Sequence, residues 1–244
     1  MEESMKGWWR RMRRRMGGLL VLAALLGALL VTGAGAEVQL FVDKQTVRVD
    51  DPQLGEKSIL NDFNPKGYRT HNYLALAWND RESWIYDLRT HQWMPLRDFA
   101  PVAGLLTDDY ALVWEPNRAA VFDARERRWI VSTMMLDQIT TPLLSRGMAA
   151  VVSTREFVVY DPVLHEWQIM GNVAPKQAAL GDNLAVCWNT EDAIIYDTTM
   201  HQWLEKRGIS PQACIVEDYK LSIYTVDTIH IYDAMKHRWG QQPR

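Results

Sequence analysis

The chain has 244 residues, 48% of them hydrophobic and 23% charged, with two cysteines and a formal net charge of −3. The first 36 residues hold six of the 27 basic and two of the 30 acidic side chains, which leaves the remainder at a net charge of −7. That sign excludes nucleic acid and anionic membrane surfaces as favoured partners, and about 208 residues are ample for one well-buried domain.

Residues 1–36 read as a targeting segment. Lys6, Arg10, Arg11, Arg13, Arg14 and Arg15 form a basic region, Leu19 to Val31 an apolar core, and Ala34-Gly35-Ala36 a small-residue cleavage site before Glu37. The expectation is a cleaved signal peptide and a periplasmic or secreted protein. The competing reading is an uncleaved anchor, since Gly17 to Ala36 is an uncharged stretch of 20 residues. A membrane contact is expected only through that anchor. In an exported protein Cys187 and Cys214 could pair, but each sits in an apolar run, which favours buried free thiols.

From residue 37 onward one signature recurs. An aromatic-Asp dipeptide is followed by a tryptophan six residues after the aspartate: Tyr86-Asp87…Trp93, Phe122-Asp123…Trp129, Tyr160-Asp161…Trp167, Tyr196-Asp197…Trp203 and Tyr232-Asp233…Trp239. The aspartates stand 36, 38, 36 and 36 residues apart, a fixed period that marks a repeat architecture. Pro101, Pro175 and Pro211 each lie eight residues after a repeat tryptophan and 22 before the next repeat aspartate. Pro65 stands 22 before Asp87, which recovers a degenerate first copy at Asp51, with Asp50 and Lys57 in the tyrosine and tryptophan slots. Six copies result.

The residue two before each repeat aspartate is β-branched (Val49, Ile85, Val121, Val159, Ile195, Ile231), which favours strand. A second apolar run lies upstream in each copy, separated by polar turns such as Asn79 to Glu82, so the pair reads as a hairpin. A strand bearing the tryptophan follows, then an inner strand after the proline. Such a sheet buries its faces only against its neighbours. The expected fold is all-β, a six-bladed β-propeller of four-stranded blades of about 36 residues over residues 37–244, its first blade lacking the inner strand. An open β-solenoid is the alternative.

The Tyr-Asp-(five residues)-Trp spacing resembles the second half of a kelch repeat, as in kelch propellers and the central domain of galactose oxidase. Two features depart from that family: no copy has the Gly-Gly pair, and the period is shorter than about 50. By the kelch pattern, the connections between blades and the turns between second and third strands share one face.

Residues common to all copies read as scaffold. His91, His165, His201 and His237 hold the same place two before the tryptophan, and equivalent positions on different blades cannot share one metal ion. The repeat aspartates are expected to organise hairpin turns, and Trp78, Trp114 and Trp188 to pack between blades. In the loops before the prolines, Asp62, Asp98, Asn172 and Gly208 occupy a slot suited to positive φ, and the next residue plugs the core.

Function is expected where the copies differ. The main candidate is the connection from Ile130 to Thr141, with Met134, Met135 and Asp137; if Pro142 is the repeat proline, it is five residues longer than its counterparts. Arg97, Asp98, Arg118, Arg155 and Arg207 are expected around the same face. No catalytic residue, metal-ligand set or cofactor is assigned. The leading reading is a non-enzymatic binding or scaffold propeller for a protein or glycan. The alternative that the resemblance implies is a periplasmic sugar-processing enzyme similar to kelch-type sialic acid mutarotases.

Overall fold

The computed structural model describes residues 37–133 and 135–244, so the targeting segment and Met134 lie outside the described residues. These residues form 23 strands in six antiparallel sheets. Blade 1 comprises β1 (Gln39–Val42), β2 (Thr46–Asp51) and β3 (Glu56–Asn61). Blade 2 comprises β4 (Gly67–His71), β5 (Leu74–Trp78), β6 (Glu82–Asp87) and β7 (Gln92–Arg97). Blade 3 has β8 (Ala103–Leu106), β9 (Tyr110–Trp114), β10 (Ala119–Asp123) and β11 (Arg128–Val131). Blade 4 has β12 (Ile139–Leu144), β13 (Ala149–Ser153), β14 (Phe157–Asp161) and β15 (Glu166–Met170). Blade 5 runs through β16 (Gln177–Leu180), β17 (Leu184–Trp188), β18 (Ala193–Asp197) and β19 (Gln202–Lys206). Blade 6 runs through β20 (Ala213–Glu217), β21 (Lys220–Tyr224), β22 (Thr228–Asp233) and β23 (Arg238–Pro243). Every sheet pairs in chain order, which is the β-propeller arrangement, and among the described residues the first blade has three strands.

Each repeat aspartate is the last residue of the strand that precedes the outermost strand of its blade. Beyond it a tight turn brings the tyrosine opposite the tryptophan, as in Tyr86↔Trp93, Tyr160↔Trp167 and Tyr196↔Trp203. Their rings meet edge to face, with centroids 5.3, 5.7 and 4.8 Å apart, a favourable quadrupole arrangement. The six-residue interval is therefore the length of one hairpin closure.

Apolar side chains fill the space between successive blades. Leu74, Leu76, Trp78 and Ile85 of blade 2 pack with Ala111, Val113, Ala120 and Phe122 of blade 3, and matching clusters join blades 3 to 4, 4 to 5 and 5 to 6. Two smaller clusters join blades 1 and 2. Sheets covered on both faces explain why central strands such as β14 and β18 are buried along their whole length. Cys187 and Cys214 are buried free thiols; burial, with Cys214 nearby, pushes Cys187 up, and burial pushes Cys214 up to about 12.

The place of Pro142 corrects the sequence reading. In blades 2, 3, 5 and 6 the repeat proline precedes the inner strand by two residues, whereas Pro142 lies inside β12, opposite Val151. Ile139, which stands 22 residues before Asp161, holds the repeat slot instead. The connection into blade 4 is two residues longer than its counterparts, and a register irregularity between Ile139 and Thr141 absorbs the difference.

Candidate functional site

The repeated polar residues resolve into one device. Asp161 Oδ1 accepts the backbone N–H groups of Val163 and Leu164, which closes its own turn. Its Oδ2 accepts the Tyr196 hydroxyl at 2.7 Å and faces His201 Nδ1 at 2.7 Å, both from the next blade. The same clasp joins Asp51 to Tyr86 (2.8 Å) and His91 (2.6 Å). Asp123 accepts Tyr160, and Asp197 accepts Tyr232. The histidine slot has positive φ in all six copies: Gly55, His91, Arg127, His165, His201 and His237 lie between 48° and 66°. Burial raises the pKa values of Asp51 and Asp161, but the histidine and tyrosine hydrogen bonds and the turn N–H groups outweigh it, so both carboxyls lie below their ordinary value. Burial and then the Asp161 bond push the Tyr196 hydroxyl well above its usual value. Both halves of the signature are thus structural; the turn role is read from sequence, while the link to the following blade is not.

The clasp fails at one internal junction. Phe122 and Arg127 replace the tyrosine and histidine that would meet Asp87. Asp87 Oδ1 takes Arg89 Nε at 2.8 Å, and its buried Oδ2 has no partner among the described residues.

The face that carries the connections is built by backbone bonds from each connection to the second-to-third-strand turn of its own blade. Phe99 N–H donates to Arg81, Leu136 to Asn117, Val173 to Arg155 and Ile209 to Glu191. Asp62, Asp98, Asn172 and Gly208 take φ values of 57° to 66°, as expected of that slot. Phe63, Phe99 and Leu136 are buried beneath them.

The structure joins the expected site residues in pairs. Arg118 Nε meets Glu115 at 2.5 Å, its Nη2 donates to the Asp98 carbonyl at 3.0 Å, and its guanidinium lies 5.1 Å from the Phe99 ring centre. Glu115 also accepts the Ala100 N–H, so this group braces the connection from blade 2 against blade 3. Arg155 Nε meets Asp137 at 3.1 Å, and Thr154 donates to the same carboxylate. Arg207 pairs with Glu205, and both line a recess of about 380 Å³ with Asn172, Asn189 and Asp192. Arg97 is exposed and Met135 is 66% exposed. Met134 lies outside the described residues; the other seven spread along the face, where Asp98 with Arg118 and Asp137 with Arg155 come together, and the rest do not. Sequence reading missed Glu115 and Asn189, whose signal was only their repeated place in the turns.

No family model matches the chain, and no curated protein matches its sequence. Among solved structures, the chain is similar to the computationally designed protein Ika8, with a TM-score of 0.43 and 11% identity over 85% of this chain and 74% of that one. It is also similar to Sqt1 of Saccharomyces cerevisiae (TM-score 0.40, 8% identity, 83% of this chain and 69% of that one). Hsv2 of Kluyveromyces lactis gives a TM-score of 0.38 and 11% identity, over 81% of this chain and 71% of that one.

Proposed function

We propose that the protein is an exported, non-enzymatic binding propeller whose connection face takes a protein partner. One observation carries the reading. Val102, Met135 and Val226 are 60%, 66% and 65% exposed on that face, among Arg97, Arg118, Arg155 and Arg207. Methionine and arginine are enriched at protein interfaces, and exposed apolar side chains within a polar surround mark binding surfaces. Met135 also lies in the connection where the period lengthens from 36 to 38. The basic, apolar and small-residue order of residues 1–36 supports export.

The test compares wild type with Met135→Glu in affinity capture from envelope and extracellular fractions, with a glycan array run on both. A protein captured by wild type and lost with Met135→Glu supports the reading. Unchanged capture refutes it, and binding confined to glycans replaces the protein partner with a carbohydrate. N-terminal sequencing of the exported chain is expected to begin at Glu37; a chain that keeps residues 1–36 refutes cleavage.

A further inference from the structure

Resting on the reading of the connection face as a partner surface, we propose that the recess where blade 4 leads into blade 5 takes an arginine side chain of the partner. In blade 3 of the same chain, one of the protein's own arginines fills the equivalent place.

Blades 3 and 5 match at an offset of 74 residues, the interval from Asp123 to Asp197. The backbone keeps that offset. Val102 N–H donates to the Trp114 carbonyl as Lys176 N–H does to Trp188, and Asp98 and Asn172 share positive φ values of 57° and 59°. In blade 3 the Arg118 guanidinium lies against the Phe99 ring, donating from Nε to Glu115 and from Nη2 to the Asp98 carbonyl. A planar, stacked cation thus closes the space between connection and blade.

Blade 5 keeps this frame and lacks its filling. Asp192 stands in the place of Arg118, Val173 in that of Phe99 and Gly171 in that of Arg97. Each is the smaller residue, and a recess of about 380 Å³ opens there. The brace between connection and blade survives: Asn189 Nδ2 donates to the Val173 carbonyl at 3.1 Å, and Asn189 Oδ1 accepts the Glu191 and Asp192 N–H groups. The Asn172 carbonyl, equivalent to the one that Arg118 uses, takes no hydrogen bond among the described residues.

The lining suits a cation on an aliphatic stem. Asp192 Oδ1 accepts the Gly208 N–H at 2.8 Å, and its Oδ2 has no partner among the described residues. Glu205 is paired with Arg207, whose side chain is 75% exposed. Two carboxylates therefore meet one guanidinium, which leaves the charge of Asp192 uncompensated. Met170, Val173 and the buried Ile194 form an apolar wall for an arginine stem. A carboxylate beside a free carbonyl matches the forked donors of a guanidinium, whereas a lysine ammonium is a strongly hydrated point charge. Carboxylates alone would accept any cation; the filled copy in blade 3 selects arginine.

The experiment titrates the peptide acetyl-Gly-Arg-Gly-amide into the full chain, purified from an exporting host, and follows backbone amide shifts by NMR. Saturable binding on the order of millimolar is expected, with the largest shifts at Asn172, Asp192 and Gly208. The citrulline peptide keeps the shape and loses the charge; it should bind about tenfold more weakly, with the lysine peptide between the two. Asp192→Asn should reproduce the citrulline loss. Asp192→Arg returns the blade 3 residue to the recess and should abolish binding, with urea midpoints confirming that both variants fold. The peptide series leaves the protein untouched and decides the matter if either variant unfolds. Absence of saturable binding, equal affinity for arginine and citrulline, or shifts confined to other blades overturns the proposal. Partner capture separates the anchor from the wider reading of the face. A protein lost with both Met135→Glu and Asp192→Arg supports the anchor; one lost with Met135→Glu and kept with Asp192→Arg leaves the binding face standing and overturns the arginine anchor.

Discussion

The junction between blades 4 and 5 and the last blade are made from the same repeat, yet their repeat aspartates end differently. At the junction, Asp161 is fully buried and serves two blades at once. In blade 6 the corresponding Asp233 is partly exposed and pairs with its own Lys236. Blade 1 offers no tyrosine or histidine to receive it, because Asp50 and Gly55 stand in those slots. Lys220 and Ser222 replace the Leu184 and Val186 of blade 5. Among the described residues, no hydrogen bond, ion pair or core cluster joins blade 6 to blade 1. Stability is expected to follow the nearest-neighbour junctions between successive blades.

The sharpest way to break this comparison is to remove the carboxylate at each place. Asp161→Ala leaves a buried hydroxyl, an imidazole and two turn N–H groups without their acceptor, an expected cost of about 3 kcal/mol in urea unfolding. Asp233→Ala is expected to leave the urea midpoint essentially unchanged. Equal losses would erase the distinction.

Acid separates the two less steeply. The Asp51 and Asp161 carboxyls are held below their ordinary value when folded, so their contribution is present above the unfolded pKa of about 3.9 and is lost as pH falls through the lower folded values. Stability should therefore drop below about pH 4, and the drop should shrink in Asp161→Ala. A pH–stability curve of unchanged slope in that variant would contradict the clasp.

A smaller gain is expected at the defective junction. Phe122→Tyr offers a hydroxyl to the unpartnered Asp87 Oδ2 and should stabilise the chain by about 1 kcal/mol, read from the shift in urea midpoint. The smallest effect belongs to the exposed face: Met135→Glu should leave stability within about 0.5 kcal/mol while abolishing partner capture.

Blade number, strand order and the three-stranded first blade were legible because the period, the proline offset and the β-branched positions record local geometry that each copy repeats. The positive-φ slots at Asp62, Asp98 and Asn172 were legible for the same reason. Contacts between copies were less so. A repeated Tyr, Asp and His within one copy gives no sign that the aspartate's partners come from the following blade. Pro142 misled because a proline was sought by type; the strand register, which depends on pairing with β13, places Ile139 in that role. The connection face was located correctly as a face, but the pairing of Arg118 with Glu115 and of Arg155 with Asp137 depends on which turns abut, which no single copy encodes.

The central claim is that the repeat signature is a coupling between blades. A double-mutant cycle on Asp161→Ala and Tyr196→Phe in urea unfolding measures it directly. The expected coupling is about 1–2 kcal/mol, as for a buried hydrogen bond to a charged group. Additivity within about 0.3 kcal/mol would contradict the account and return the signature to a feature of single blades.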